Sequence, residues 1–191
     1  AQGVAKSCNL LKIEGVIFMP TITPRQKIEQ VNMFGGKYIN VILDGDTYDD
    51  AYEAAKKYCN KNNKTFIHPF DDESVIEGQA TLALEILEQA NEKIDTIIVP
   101  VGGGGLISGV LSVFKQLSPE TKIIGVEPEG APSMSKSLSY NTVTSLDKID
   151  PFVDGASVKR VGEISYNLCQ EYLDEMLLVP EGKICQTILN M

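Results

Sequence analysis

Tryptophan is absent from these 191 residues and histidine occurs once, as His68. A lone histidine excludes a histidine-clustered metal site. It also forces any Ser/His/Asp site to use His68, and no G-x-S-x-G elbow supplies the serine. The cysteines Cys8, Cys59, Cys169 and Cys185 are widely spaced with no C-x-x-C, so neither a disulfide framework nor a zinc site is suggested. A reducing cytoplasm is the simplest setting. Basic residues are outnumbered 17 to 26, leaving a net charge of −9 without any Lys/Arg cluster. That argues against a nucleic-acid or anionic-membrane surface. No apolar run approaches the ~20 residues a membrane span needs, and no charged-then-apolar leader precedes Ala1. Repeats and low-complexity tracts are missing too.

What is present is the balance of a globular protein, 43% hydrophobic and 23% charged, in a length that allows one domain or one and a half. Helical spacing runs through residues 1–12 on Val4, Ala5, Cys8 and Leu11. The apolar run Gly15–Pro20 reads as a buried strand. Thr23-Pro24 reads as an N-cap and first helical residue, opening a helix with Ile28, Val31 and Phe34 inward that stops at Gly35-Gly36. A strand is expected over Tyr38–Leu43. Thr47-x-x-Asp50 is a capping-box pattern, followed by a helical stripe of Tyr48, Ala51, Tyr52, Ala55, Tyr58 and Cys59 that reads as core.

Thr65–Phe70 reads as a third strand. Ser74-x-x-Glu77 reads as the cap of a helix whose inner face is Ile76, Ala80, Ala83, Leu84 and Leu87. Further strands are expected at Thr96–Val99, Lys122–Glu127 and Glu175–Pro180, the last preceded by a helix carrying Ile164, Leu168 and Tyr172. Gly130–Asp154 reads as a loop with a short helix near Pro132–Leu138, and residues 181–191 begin another helix. This alternation predicts an α/β protein, a three-layer doubly wound, mostly parallel sheet.

One stretch stands apart. Val99-Pro100-Val101 runs into Gly102, Gly103, Gly104 and Gly105, and then into Leu106-Ile107-Ser108. A strand, a glycine turn and a helix start present backbone N–H groups that have no intrahelical partner and carry partial positive charge. Such a turn suits a phosphate group. No Lys or Arg lies between Thr96 and Phe114, so this is not a Walker loop, and the glycine spacing misses G-x-G-x-x-G. Backbone amides alone would hold the anion, which favours one terminal phosphate. A glycine turn with no ligand remains the plainer reading. His68 reads as a structural or loop-positioning residue. Asp71 and Asp72 could be a carboxylate pair or two helix caps. Glu127 ends a strand about twenty residues beyond the glycines, where a dinucleotide enzyme holds a ribose.

Taken in order, several stretches resemble one family. They are residues 1–5, Met19-Pro20, Thr23-Pro24, Phe34-Gly35-Gly36, Phe66-Ile67-His68-Pro69-Phe70-Asp71-Asp72, Gly78-Gln79, Val99–Leu106, Gly125–Pro128, Phe152–Lys159 and Val179–Lys183. Over essentially its whole length the chain resembles the fold-type II pyridoxal-phosphate enzymes of the tryptophan synthase β superfamily, and within them the biosynthetic threonine dehydratases (threonine deaminases). The resemblance implies that Gly102, Gly103, Gly104, Gly105 and Leu106 cradle the 5′-phosphate of pyridoxal 5′-phosphate, with Gly155 on a loop facing the cofactor. It implies conversion of L-threonine to 2-oxobutanoate and ammonia in isoleucine biosynthesis, with L-serine as the alternative amino-acid substrate. A homo-oligomer is implied for the full enzyme.

Residues 1–65 would be part of the small lobe and 66–191 part of the large, phosphate-binding lobe. Racemising relatives bind a divalent cation near Glu127 and Ala131. Here Ser133 stands where a carboxylate would be, and no metal is expected. The lysine that the family joins to its cofactor lies upstream of the matching region, so no catalytic residue is assigned and this chain alone is expected to be inactive. Other readings are a serine dehydratase or racemase of the same fold type, a non-catalytic nucleotide-binding module using Glu127, or a bare scaffold.

Overall fold

The computed structural model describes residues 1–191, which form two compact units, Ala1–Ile67 and His68–Met191. Unit 1 runs α1 (Gln2–Leu11), β1 (Gly15–Met19), α2 (Arg25–Gly35), a 3-10 turn (Gly36–Tyr38), β2 (Ile39–Leu43) and α3 (Tyr48–Asn62). The strands pair in parallel, with Gly15 opposite Ile39 and Met19 opposite Leu43. Ala5, Ile17, Met19 and Val31 are buried together, and Ile28 and Phe34 pack against them, as their spacing on α2 requires. Thr47 and Asp50 form the reciprocal capping box: the Asp50 amide donates to Thr47 Oγ1 (3.2 Å) and the Thr47 amide to Asp50 Oδ2 (3.0 Å). The tyrosine stripe of α3 is packed ring on ring. Tyr52 lies edge-on to Phe66 at 5.4 Å, and Tyr58 sits 5.5 Å from Phe18.

Two expectations shift here. Thr23 does not cap α2. Pro24 is the N-cap, with extended ψ 132° and no side-chain bond, and its carbonyl accepts from the Lys27 amide. Tyr38 belongs to the 3-10 turn instead of the strand, because Gly36 at φ +54° ends α2 in a tight reversal.

Unit 2 runs α4 (Glu73–Gln89), β3 (Thr96–Pro100), α5 (Gly105–Leu117), β4 (Lys122–Pro128), α6 (Ser133–Tyr140), α7 (Glu163–Tyr172), β5 (Glu175–Val179) and α8 (Glu181–Asn190). Its sheet has the order β3-β4-β5, parallel throughout. Strand, helix and parallel strand follow one another as in the expected α/β plan. Helix α5 is the spine of the core: Ile107, Val110, Leu111 and Phe114 are buried with Val99, Val101, Ile123 and Met134. Asp174, ahead of β5, accepts from the Ile123 amide (2.7 Å) and from Lys115 Nζ (2.9 Å), tying α5 to the entrance of the sheet.

Three further expectations are corrected. Residues 65–70 form no strand; Pro69 has no N–H, and the His68 side chain takes the amides of Phe70 and Asp71, so the segment has few groups left for a ladder. Asp72, not Ser74, caps α4, accepting from the Val75 amide. The buried faces also differ. Leu84 is 41% exposed, and α7 buries Ser165, Tyr166 and Cys169 most deeply; of the residues expected there, Leu168 does pack against the core, Ile164 is half-buried and Tyr172 is exposed. Ser165 is the α7 residue set against the glycine loop, at Gly104.

The α4–α5 crossing depends on Gly109. A Cβ there would stand 2.5 Å from the Ala80 nitrogen and 2.8 Å from the Gln79 carbonyl carbon, both main chain. Gly78, on the same α4, has nothing within 4 Å of its Cβ position. Gly109→Ala should therefore destabilise the chain by about 1–3 kcal/mol through overpacking. Gly78→Ala should stabilise it by roughly 0.5–1 kcal/mol through helix propensity. Urea unfolding of both variants checks this; a neutral Gly109→Ala would mean the helices are not in backbone contact.

Candidate functional site

The parallel ladder runs one bond past β3, where the Val101 amide donates to the Val126 carbonyl at 2.8 Å. The chain then leaves the carboxyl end of the sheet through Gly102 and Gly103. It passes Gly104 at φ +100° and starts α5 at Gly105. Only glycine takes that φ without strain, and a Cβ at Gly104 would also overlap Ser165 of α7. At Gly103 a Cβ would enter the Phe70 ring, and at Gly105 it would lie 3.1 Å from the Phe70 Cα and carbonyl oxygen. The loop is walled by neighbours that tolerate no side chain.

Its hydrogen bonding is one-sided. The Gly103 carbonyl accepts from the Gly162 amide (3.0 Å), and the Gly104 carbonyl accepts from the Ser108 amide (3.0 Å) and hydroxyl (2.7 Å). The amides from Gly102 to Ile107 donate to no acceptor within the chain, although Gly103, Gly104, Gly105 and Ile107 are buried. A buried donor left without an acceptor costs about 1–3 kcal/mol, and native proteins rarely leave one so. A row of them at the positive end of a helix fits an anion with several acceptor oxygens, such as a phosphate monoester. The stretch from Thr96 to Phe114 itself carries no cation, so what it offers an anion is its amides and the positive end of the helix dipole.

The remaining candidates fall into place around this loop. Asp71 and Asp72 are both caps, of different helices. Asp72 serves α4, whereas Asp71 reaches α7 and accepts from the Glu163 and Ile164 amides, each at 2.9 Å. His68 holds the loop between them, accepting through Nδ1 from the amides of Asp71 (2.7 Å) and Phe70 (3.3 Å). Gly155 is exposed with nothing near its Cβ position. Its neighbour Ala156 makes the contact, with its Cα 3.1 Å from where a Gly102 Cβ would be.

Glu127 ends β4 turned inward. Only 3% exposed, it accepts from the Met134 amide (3.2 Å) and the Ser135 amide (3.3 Å) at the start of α6. Burial pushes its carboxyl up to about 8, against the pull of those two amides. A carboxyl so enclosed is spent on α6 and does not reach a ribose. Beside it, Ser133 donates its hydroxyl to the Val158 carbonyl. The clefts of unit 1, including one lined by Phe18, Asp44, Asp50, Lys57 and Tyr58, contain none of the loop residues.

Sequence reasoning did not find Asp71 on α7, Gly162 on Gly103, or Phe70 and Ser165 against the glycines. Each joins residues dozens of positions apart, and no local pattern announces them.

An all-parallel α/β unit with a glycine turn of unpaired amides at the carboxyl end of a strand has the arrangement in which α/β enzymes place their ligands. The family model for pyridoxal-phosphate dependent enzymes matches residues 1–191. The chain belongs to that family. It is 56% identical over its full length to a biosynthetic L-threonine dehydratase from Halalkalibacterium halodurans, of which it covers 46%. Among solved structures, the processed form of threonine deaminase isoform 2 from Solanum lycopersicum superposes with a TM-score of 0.85 at 46% identity, covering 94% of this chain and 48% of that one. Maize serine racemase superposes with a TM-score of 0.89 at 31% identity, covering 99% and 56%. The chain thus spans about half the length of the curated relatives it matches.

Glu127 makes stability depend on pH. Between its ordinary value of 4.5 and about 8, the folded chain holds a proton that the unfolded chain has lost. Stability therefore falls as pH rises through that window. Glu127→Gln keeps an acceptor for the α6 amides and removes the titration. Thermal melts across the window should show a shallower decline for the variant than for the wild type; parallel curves would show that Glu127 does not titrate in the fold.

Proposed function

We propose that this chain supplies the phosphate-holding part of a pyridoxal-phosphate-dependent dehydratase that converts L-threonine to 2-oxobutanoate and ammonia, the reaction that opens isoleucine biosynthesis. The observation that carries the reading is the row of unbonded amides from Gly102 to Ile107 inside walls that exclude side chains. The relatives named biosynthetic L-threonine dehydratase, at 56% and 52% identity, favour this reaction within the family. Unit 1 is read as part of the smaller lobe and unit 2 as part of the larger, in an enzyme that assembles from identical subunits. A reducing cytoplasm suits the four free cysteines.

Pyridoxal phosphate, when bound, supplies an electron sink for charge developing at the substrate α-carbon. The work of this chain is to anchor and orient it. The amides of Gly102, Gly103, Gly104, Gly105 and Leu106 would hold the phosphate oxygens, and the start of α5 would offset their charge. Gly102 is backed by Ala156 and Gly103 by Phe70, which fixes where the phosphate can lie. Gly155, next to Ala156, has nothing within 4 Å of its Cβ position and would line the cofactor's space from that loop. The likeness to maize serine racemase favours serine as the alternative amino-acid substrate on the same anchor.

The anchor is tested by titrating the chain with pyridoxal 5′-phosphate and with pyridoxal, which lacks the phosphate. The phosphorylated compound should bind at least about tenfold more tightly, since hydrogen bonds to a charged group contribute roughly 1.5–3 kcal/mol each. Gly104→Ala, which meets both the φ of +100° and Ser165, should remove that preference. Equal affinities for the two compounds would overturn the assignment.

A further inference from the structure

We infer that His68 and Asp71 are positioning residues for the glycine loop, and that they set the direction of the Gly104 amide through the Gly103 carbonyl. This rests on the phosphate-anchor reading above and adds to it the device that aims the anchor.

Residues 68–72 have no ladder and no helix to shape them. One side chain does it: His68 Nδ1 accepts from the amides two and three positions ahead, the pattern by which Asn and Asp close local turns. Nδ1 must be unprotonated to accept, which places the ring proton on Nε2. The turn so closed presents Phe70 to the loop, with its main chain 3.1 Å from a Gly105 Cβ position and its ring against Gly103. It also sends Asp71 to the first turn of α7, where both carboxylate oxygens are used, Oδ1 by the Ile164 amide and Oδ2 by the Glu163 amide. These are donors that a helix start otherwise leaves unpaired.

The residue ahead of α7 completes the link. The Gly162 amide donates to the Gly103 carbonyl at 3.0 Å, and Asp71 occupies the space a Gly162 side chain would need. A trans peptide is planar, with its C=O and N–H pointing in opposite directions. Holding the Gly103 carbonyl towards Gly162 therefore turns the Gly104 N–H the other way. The same logic applies one residue on: Ser108 holds the Gly104 carbonyl and so orients the Gly105 N–H. The strap fixes one peptide plane of the cradle, and α5 fixes the next.

The test compares His68→Ala, His68→Asn and His68→Gln for binding of pyridoxal 5′-phosphate, with circular dichroism to establish folding. Asn carries an acceptor at the same distance from the backbone as Nδ1, whereas Gln places it one bond further out. His68→Asn should bind within about twofold of the wild type, and His68→Ala and His68→Gln at least about tenfold more weakly. Wild-type affinity in His68→Ala would overturn the inference. So would an Asn variant no better than the Ala and Gln variants. If His68→Ala does not fold, Gln against Asn decides.

Amide hydrogen exchange at Gly162, Glu163 and Ile164 reads the strap without any ligand. Exchange should be faster in His68→Gln than in His68→Asn, and equal rates would contradict the inference. Should the wild type show no preference for the phosphorylated compound, the phosphate-anchor reading falls while the exchange measurement still judges the strap.

Discussion

The amides from Gly102 to Ile107 are what the surrounding structure has to hold in line. Each is a donor that α5 cannot satisfy from within, and several are buried. Such a row is unfavourable by itself and useful only when the donors converge on one acceptor group. Convergence requires a backbone path that no side chain obstructs, and carbonyls on the opposite side that are firmly held. The structure provides both. Phe70, Ala156 and Ser165 fill the space where side chains would sit, while Gly162 and Ser108 hold the carbonyls of Gly103 and Gly104.

The parallel sheet explains why this happens where it does. In β3-β4-β5 the carboxyl ends of the strands share one edge, and β3 delivers the glycines directly onto the start of α5. Glu127, at the corresponding end of β4, is bound to α6 and shapes the turn without facing a ligand. Met134 of that same helix is buried in the core beside Ile107. The carboxyl that a dinucleotide enzyme would turn outward here is turned inward.

Much of this was legible in the sequence. Periodicity gave the helices and most strands, the Thr47–Asp50 box was readable as a cap, and four glycines between an apolar run and a helix pattern marked the loop. What misled were segments whose backbone groups are claimed from elsewhere. Residues 65–70 look like a strand by composition, but His68 diverts their amides. Ser74 fits a capping pattern, but Asp72 stands at the helix entrance. Asp71 reads as one of two adjacent acids, yet its partners lie 92 and 93 residues downstream. Such long-range bonds leave no local spacing to detect. The choice of threonine over serine came from resemblance and not from any residue lining the loop.

The central claim is that main-chain donors, unaided by any side-chain cation, grip a phosphate. Its most direct measurement is the amide NMR spectrum of the chain as pyridoxal 5′-phosphate is added. The account predicts that the Gly102–Ile107 amide protons move downfield together as they gain charged acceptors, while that of Gly78, exposed on α4, stays in place. Binding that leaves the Gly102–Ile107 signals unmoved would contradict it.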